Sequence, residues 1–171
     1  MKSKTPVFRW LVLYVRPRYE KKVNSQLTEK GVESFLPQRK EVRIWSDRKK
    51  LILVPLFPGY IFVYADEKHR IAALETEGAL TYVRFGGEPA VVPDEIIKSL
   101  RIAVSGSEQI QAEKTKLQLG QKVRVKSGPV AGLVGYLTGF RGNTRVAIRV
   151  DAIDQIVSLQ VATSDLEILQ S

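Results

Sequence analysis

The chain of 171 residues contains no cysteine, one histidine and one methionine. Without cysteine there are no disulfide staples, thiolate metal sites or cysteine nucleophiles, and a reducing compartment suits such a chain. A lone histidine, His69, is poor material for a metal site or for acid–base chemistry, and it reads as a solvated residue near a helix start. No apolar run approaches the roughly 20 residues that cross a bilayer. The opening stretch MKSKTPVFRWLVLYVRPRYEKK has an apolar segment too short, and too soon followed by charge, for a secretory signal, so a cytoplasmic protein is expected. No phosphate-binding glycine loop, dinucleotide fingerprint, zinc helix or nucleophile elbow occurs; no cofactor or metal is implied and an enzyme is not expected. Asp151 and Asp154 are close in sequence, but DAID between two strand patterns reads as a turn.

What is present in excess is positive charge, and it is unevenly spread. Residues 1–50 carry 14 Lys and Arg against 5 Asp and Glu, whereas residues 51–171 carry 13 of each, so the whole net charge of +9 lies at the front. Such asymmetry is the footprint of a surface that meets a polyanion, most often nucleic acid, because neutralising phosphates releases counterions. A solvated basic face that only aids solubility is the competing reading.

Hydrophobic residues make up 44% of the chain, enough for a core. Val7 to Val15 is an apolar, β-branched run closed by Arg16-Pro17 and predicts a buried strand. Tyr19, Val23 and Leu27 at helical spacing, followed by Gly31, predict an amphipathic helix over 18–30. Val42–Trp45 and Leu51–Val54 predict a hairpin whose tip, Ser46 to Lys50, is a basic turn. Strands are expected at 59–64 and 80–85, a second helix at 69–77 and a third opened by Pro93-Asp94-Glu95 and running to about Val104. The order predicts an α+β fold, a mixed sheet with three helices. Residues 105–116 turn polar and read as a linker. Beyond it, short alternating strands with frequent glycines predict a small antiparallel barrel of about five strands. The expected domains are therefore 1–104 and 117–171.

Two motifs are specific. GQKVRVKSGPVAGLVG, from Gly120 to Gly135, resembles the KOW motif of ribosomal proteins and of the NusG family: Gly128-Pro129 sets a tight reversal, while Gly132 and Gly135 permit geometry or close approach that a side chain would block. These glycines read as builders of the platform. PLFPGYIFV at 55–63, followed by YVRFG at 82–86 and PAVVP at 89–93, resembles the amino-terminal (NGN) domain of the NusG/RfaH/UpxY family of transcription elongation and antitermination factors. The order of elements agrees over about Arg9 to Leu169.

The resemblance implies an NGN-type α/β sandwich followed by an SH3-like KOW barrel. It further implies that an apolar patch docks on the clamp helices of the largest RNA polymerase subunit, with Phe57, Pro58, Tyr60, Phe62, Phe85 and Tyr14 contributing. Strand alternation expects Ile61 and Val63 inside and Tyr60 and Phe62 outside, with a core role for Phe62 the competing reading. Arg16, Arg18, Lys21 and Lys22, with Arg48, Lys49 and Lys50, would then meet the phosphates of the non-template DNA strand. The KOW domain would tether a small-subunit ribosomal protein or the termination factor Rho, in a monomer with no membrane association. The resemblance to RfaH does not extend to the histidine-threonine segment that in RfaH approaches the second large polymerase subunit, because Arg70-Ile71 follows His69 here. An operon-specific antiterminator of the UpxY or RfaH kind is expected from PLFPGYIFV and VRFGGEPAVVP. The alternatives are a general NusG factor or a ribosome-associated KOW RNA-binding protein.

Overall fold

A computed structural model of the chain describes residues 4–113, 119–140 and 143–170, with Phe140 described by its backbone. The end of the expected linker, 114–116, the start of the expected second domain, 117–118, and Gly142 lie outside the described residues. Along the chain run β1 (Arg9–Val15), α1 (Glu20–Glu29), β2 (Glu33–Phe35), β3 (Gln38–Trp45), β4 (Arg48–Pro55), β5 (Tyr60–Ala65) and α2 (Glu67–Leu74). Then follow β6 (Ala79–Tyr82), β7 (Arg84–Phe85), β8 (Glu88–Pro89), β9 (Val91–Val92), α3 (Asp94–Gly106) and β10 (Gln111–Glu113). The last elements are β11 (Lys122–Val125), β12 (Val134–Phe140), β13 (Asn143–Val150), β14 (Gln155–Gln160) and β15 (Leu166–Ile168). This is the α+β class that the pattern of elements implies.

Contacts divide the chain into two compact units, residues 1–36 with 57–93 and residues 37–56 with 94–171. In the first, strand order is β2-β5-β1-β6, with β9 also pairing β1. The apolar run of β1 is therefore central, as its lack of polar alternation requires: a strand buried on both faces reads as continuously hydrophobic. Leu11, Leu13, Val15, Ile61, Val63 and Tyr82 on one face meet Val23 and Leu27 of α1 and Ala73 of α2 in a buried cluster. In the register Val12 opposes Phe62, Tyr14 opposes Tyr60 and Trp10 opposes Tyr64, so the other face is a row of aromatic rings.

In the second unit β3 and β4 form a two-stranded antiparallel ribbon, and a six-stranded sheet runs β10-β14-β13-β12-β11-β15. Its pairings run as a path of six strands among the described residues, where a small antiparallel barrel of about five strands is the expectation from sequence. Helix α3 lies over β12 and β13, where buried Ser99 accepts a hydrogen bond from the Val134 amide at 3.1 Å. Part of the expected linker is ordered here: α3 continues to Gly106, and Gln111–Glu113 pairs antiparallel with β14. A polar segment can do this because an edge strand contributes backbone groups to the ladder while its side chains stay wet.

In β12, Gly135 is required by contact. A Cβ there would meet the Ala147 carbonyl oxygen at 2.6 Å and a Val146 methyl at 2.8 Å. Gly128-Pro129 makes the expected reversal, with the Gly128 carbonyl accepting from the Ala131 amide at 3.2 Å and the Gly132 amide donating back to Val125 at 2.8 Å.

Candidate functional site

The PLFPGYIFV loop is held by its glycine. Gly59 has φ +88°, a conformation that side chains disfavour, and a Cβ on it would stand 3.1 Å from the Tyr14 ring. Its amide donates to a carboxylate oxygen of Glu20 at 2.9 Å, and its carbonyl accepts from the Val15 amide at 2.8 Å. Glu20 is 5% exposed, so this charge-assisted bond lies inside the protein. Both backbone groups of the loop apex are thus tied to β1 and to the start of α1. The residue that does most to place the loop, Glu20, was masked in the sequence by its position in the charged first turn of α1.

Around that apex the expected aromatic residues part company. Pro58 is exposed, and Tyr60 and Tyr14 are half-buried with ring centroids 5.4 Å apart. Phe85 is 60% exposed, next to the two-glycine turn that joins β7 to β8. Among the described residues it makes no ring contact with Tyr60 or Tyr14. Phe57 and Phe62 are each 0% exposed and meet edge to face, with Phe35 stacked on Phe62. The expectation that these two rings stand in solvent is corrected. Ile61 and Val63 are inside as expected, but alternation separates core from solvent only on a sheet with one wet face, and both faces of β5 are covered here. The same row carries Trp10 and Tyr64, which sequence reasoning passed over; the signal was the alternation of Tyr60, Phe62 and Tyr64.

The basic residues fall into two groups. At the β1–α1 connection, Arg16 and Lys22 stand over the Tyr19 ring at 5.8 and 5.4 Å from its centroid, and Lys22 also pairs with Glu77 at 3.2 Å. Arg18 occupies the third place of a turn closed by the Tyr19 amide on the Arg16 carbonyl at 3.0 Å, with Pro17 before it. Its φ of +71° belongs to a left-handed conformation that favours glycine. Lys21 is exposed on the first turn of α1.

The second group is on the ribbon, where the expected basic turn is corrected. Trp45 pairs directly with Arg48, so the turn is only Ser46-Asp47 and Arg48, Lys49 and Lys50 are strand residues. Strand residues alternate, and Lys49 therefore faces away from Arg48 and Lys50. Those two stand over the Trp45 ring at 5.6 and 6.0 Å, and Trp45 is 47% exposed. Arg39 and Arg43 share this face and both reach the Glu41 carboxylate, at 3.3 and 3.5 Å. An exposed ring among guanidinium and ammonium groups is a surface that can take a base on its π face and phosphates beside it.

His69 has more company than a solvated side chain. Asp66 caps α2 by accepting from the His69 amide at 2.9 Å, and the same oxygen meets His69 Nδ1 at 2.5 Å. These hydrogen bonds, backbone first, hold the Asp66 carboxyl below its ordinary pKa. The Phe8 ring lies 5.2 Å from the imidazole. Asp151 and Asp154 lie in a one-turn 3-10 helix and its left-handed end, as the turn reading requires. Among the described residues no cluster of three or more His, Asp or Glu could hold a metal, and no helix is long and apolar enough to cross a membrane.

Comparison with known proteins decides the family. The family model described as "Transcription termination factor nusG" matches residues 8–101, more than half of the chain. The chain belongs to the NusG family. Among curated NusG-family relatives, the transcription termination/antitermination proteins NusG of Staphylococcus carnosus (strain TM300) and of Staphylococcus aureus (strain Mu50 / ATCC 700699) are each 26% identical. In both cases the match covers 93% of this chain and 94% of the relative. A solved structure titled "Domain interaction in Thermotoga maritima NusG" aligns over 96% of this chain and 98% of its own, with TM-score 0.53 and 20% identity, a likeness of fold alone. The chain is thus a NusG-family transcription termination/antitermination factor, and the family match spans β1 to α3, the segment that holds the PLFPGYIFV loop and both basic groups.

Proposed function

We propose that this NusG-family chain is a cytoplasmic bacterial elongation factor that rides on RNA polymerase, contacts the non-template DNA strand and suppresses pausing. The observation that carries the reading is the clamped loop: Gly59 fixed by Glu20 and Val15, presenting exposed Pro58 and half-buried Tyr60 against Tyr14. Rigid aromatic and proline surface suits a docking anchor, because it buries large area while losing little side-chain entropy. The polymerase surface it would meet is the clamp helices of the largest subunit. Pro58, Tyr60 and Tyr14 form the anchor, with Phe85 as a separate contact; buried Phe57 and Phe62 support the loop from beneath.

Arg16, Arg18 and Lys21 at the β1–α1 connection, and Arg48 and Lys50 beside Trp45, are assigned to the DNA strand. Lys22 is assigned there too, because its pair with Glu77 is solvent-exposed and easily exchanged for a phosphate. A factor that prefers the closed, pause-resistant polymerase shifts the population by the difference of its affinities for the two states. Residues 117–171, joined through residues 105–116, would tether a small-subunit ribosomal protein or Rho and raise its local concentration. The curated relatives carry the name of the general factor, and an operon-restricted role of the UpxY or RfaH kind draws no support from them.

The test is binding to purified core polymerase with a pausing assay alongside. Tyr60→Ala is expected to weaken polymerase binding at least tenfold with an unchanged far-ultraviolet spectrum, whereas Phe62→Ala is expected to lower the melting temperature. Wild-type binding by Tyr60→Ala would overturn the anchor. Failure of the wild-type chain to bind polymerase at all would instead favour a ribosome-associated RNA-binding protein.

A further inference from the structure

The second face of the ribbon has no role in the proposal above. Alternation places Val42 and Ile44 of β3 and Leu51 of β4 opposite to Trp45, Arg48 and Lys50. These aliphatic side chains are 58%, 72% and 58% exposed, and Val42 and Leu51 are directly paired in the register. Single exposed aliphatics are ordinary, but a contiguous group on one face of a strand pair marks a contact surface. The same face carries Lys40 and Lys49, diagonally at its two ends, and no carboxylate: Glu41 points to the other side and Asp47 lies in the turn. Lys40 reaches Glu108 at 3.0 Å, but both side chains are largely exposed and such a pair is easily exchanged.

Charge and shape narrow the occupant. Aliphatic side chains offer no ring for a base to stack on, so a nucleic acid takes the Trp45 face instead. A second copy would bring Lys40 and Lys49 against their own kind, on a ribbon with six Lys and Arg against two acidic residues. We propose that this face docks an acidic amphipathic helix of a partner protein, its apolar stripe on Val42, Ile44 and Leu51 and its flanking carboxylates on Lys40 and Lys49. Lys40 and Ile44 are four strand residues apart, about 13 Å. That is the length of about nine helical residues at 1.5 Å each, enough for apolar positions i, i+4 and i+7 bracketed by acids.

The experiment titrates the full chain, methyl-labelled at Ile, Leu and Val, with a synthetic helical peptide bearing Leu at those positions and Glu at both ends. Parallel arms use the same peptide with Lys at both ends, an oligothymidine, and vesicles containing phosphatidylglycerol. The Glu-flanked peptide is expected to shift the Val42, Ile44 and Leu51 methyls. Val42→Thr combined with Leu51→Thr, which keeps strand propensity, is expected to weaken that binding at least tenfold and to leave oligothymidine affinity unchanged. Equal binding of the two peptides would overturn the proposal. So would a response of these methyls to the vesicles or the oligonucleotide in place of the peptide, their concentration-dependent broadening without peptide, or no response at all.

Discussion

At the scale of single residues, one strained backbone position lies among the proposed contacts. Arg18 holds φ +71° after Pro17, in a turn position suited to glycine. A left-handed conformation costs a residue with a Cβ about 1 kcal/mol, and part of that gain is offset when glycine enlarges the unfolded ensemble. Arg18→Gly is therefore expected to raise stability by about 0.5 kcal/mol in urea denaturation, while weakening affinity for single-stranded DNA. Opposite signs for the two measurements would separate a residue retained for binding from one retained for folding. If affinity did not fall, Arg18 would have no part in the nucleic-acid surface. Glu20 shows the complementary case: a buried carboxylate whose task is to hold the Gly59 amide, which is why an acidic residue in a helix's first turn also shapes a loop 39 residues away.

At the scale of elements, one buried tyrosine ties β6 to α2. Tyr82 is 2% exposed, and its hydroxyl donates to the Arg70 carbonyl of α2 at 2.8 Å. Burial, which disfavours the phenolate, pushes its pKa up to about 12, with the nearby Arg70 charge opposing that rise. A raised value means that the folded state holds the proton more tightly than the unfolded state. The stabilising contribution is whole below the unfolded pKa of about 10, and it is lost as pH rises through the folded value. Tyr82→Phe is expected to cost about 1 kcal/mol at neutral pH through the missing hydrogen bond. The variant should also decline less steeply than wild type between pH 10 and the folded value; parallel declines in pH-dependent urea melts would contradict this account.

At the scale of the whole molecule, most of the positive charge concentrated in residues 1–50 is divided between the β1–α1 connection and the ribbon. If about five cations neutralise phosphates of a single strand, log affinity against log salt should fall with a slope near −3.5, about 0.7 per contact. Replacing Arg48 and Lys50 together by Ala is expected to make that slope shallower by about 1.4. Replacing Lys49 should change it little, because alternation turns Lys49 to the other face. An equal effect from Lys49 would show that the ribbon's two faces do not divide the work.

Much of the fold and part of the candidate site were legible without coordinates. The periodicities of Tyr19, Val23 and Leu27 and of the Val7–Val15 run marked α1 and β1, because helix and strand periods are local properties of the chain. The two glycine-bearing motifs marked the family, because loop geometry that needs positive φ or close approach restricts residue type directly. Tertiary structure alone decided that Phe62 is buried, since a strand's own alternation cannot say whether one face of its sheet or both are covered, and that Phe57 of the preceding loop packs on it. It also decided that Arg48 and Lys50 share a face with Trp45 while Lys49 does not, because a two-residue turn sets the register and the register sets which way each side chain points. Residue types and their spacing act over a few positions, whereas burial and facing are settled by what lies across the sheet.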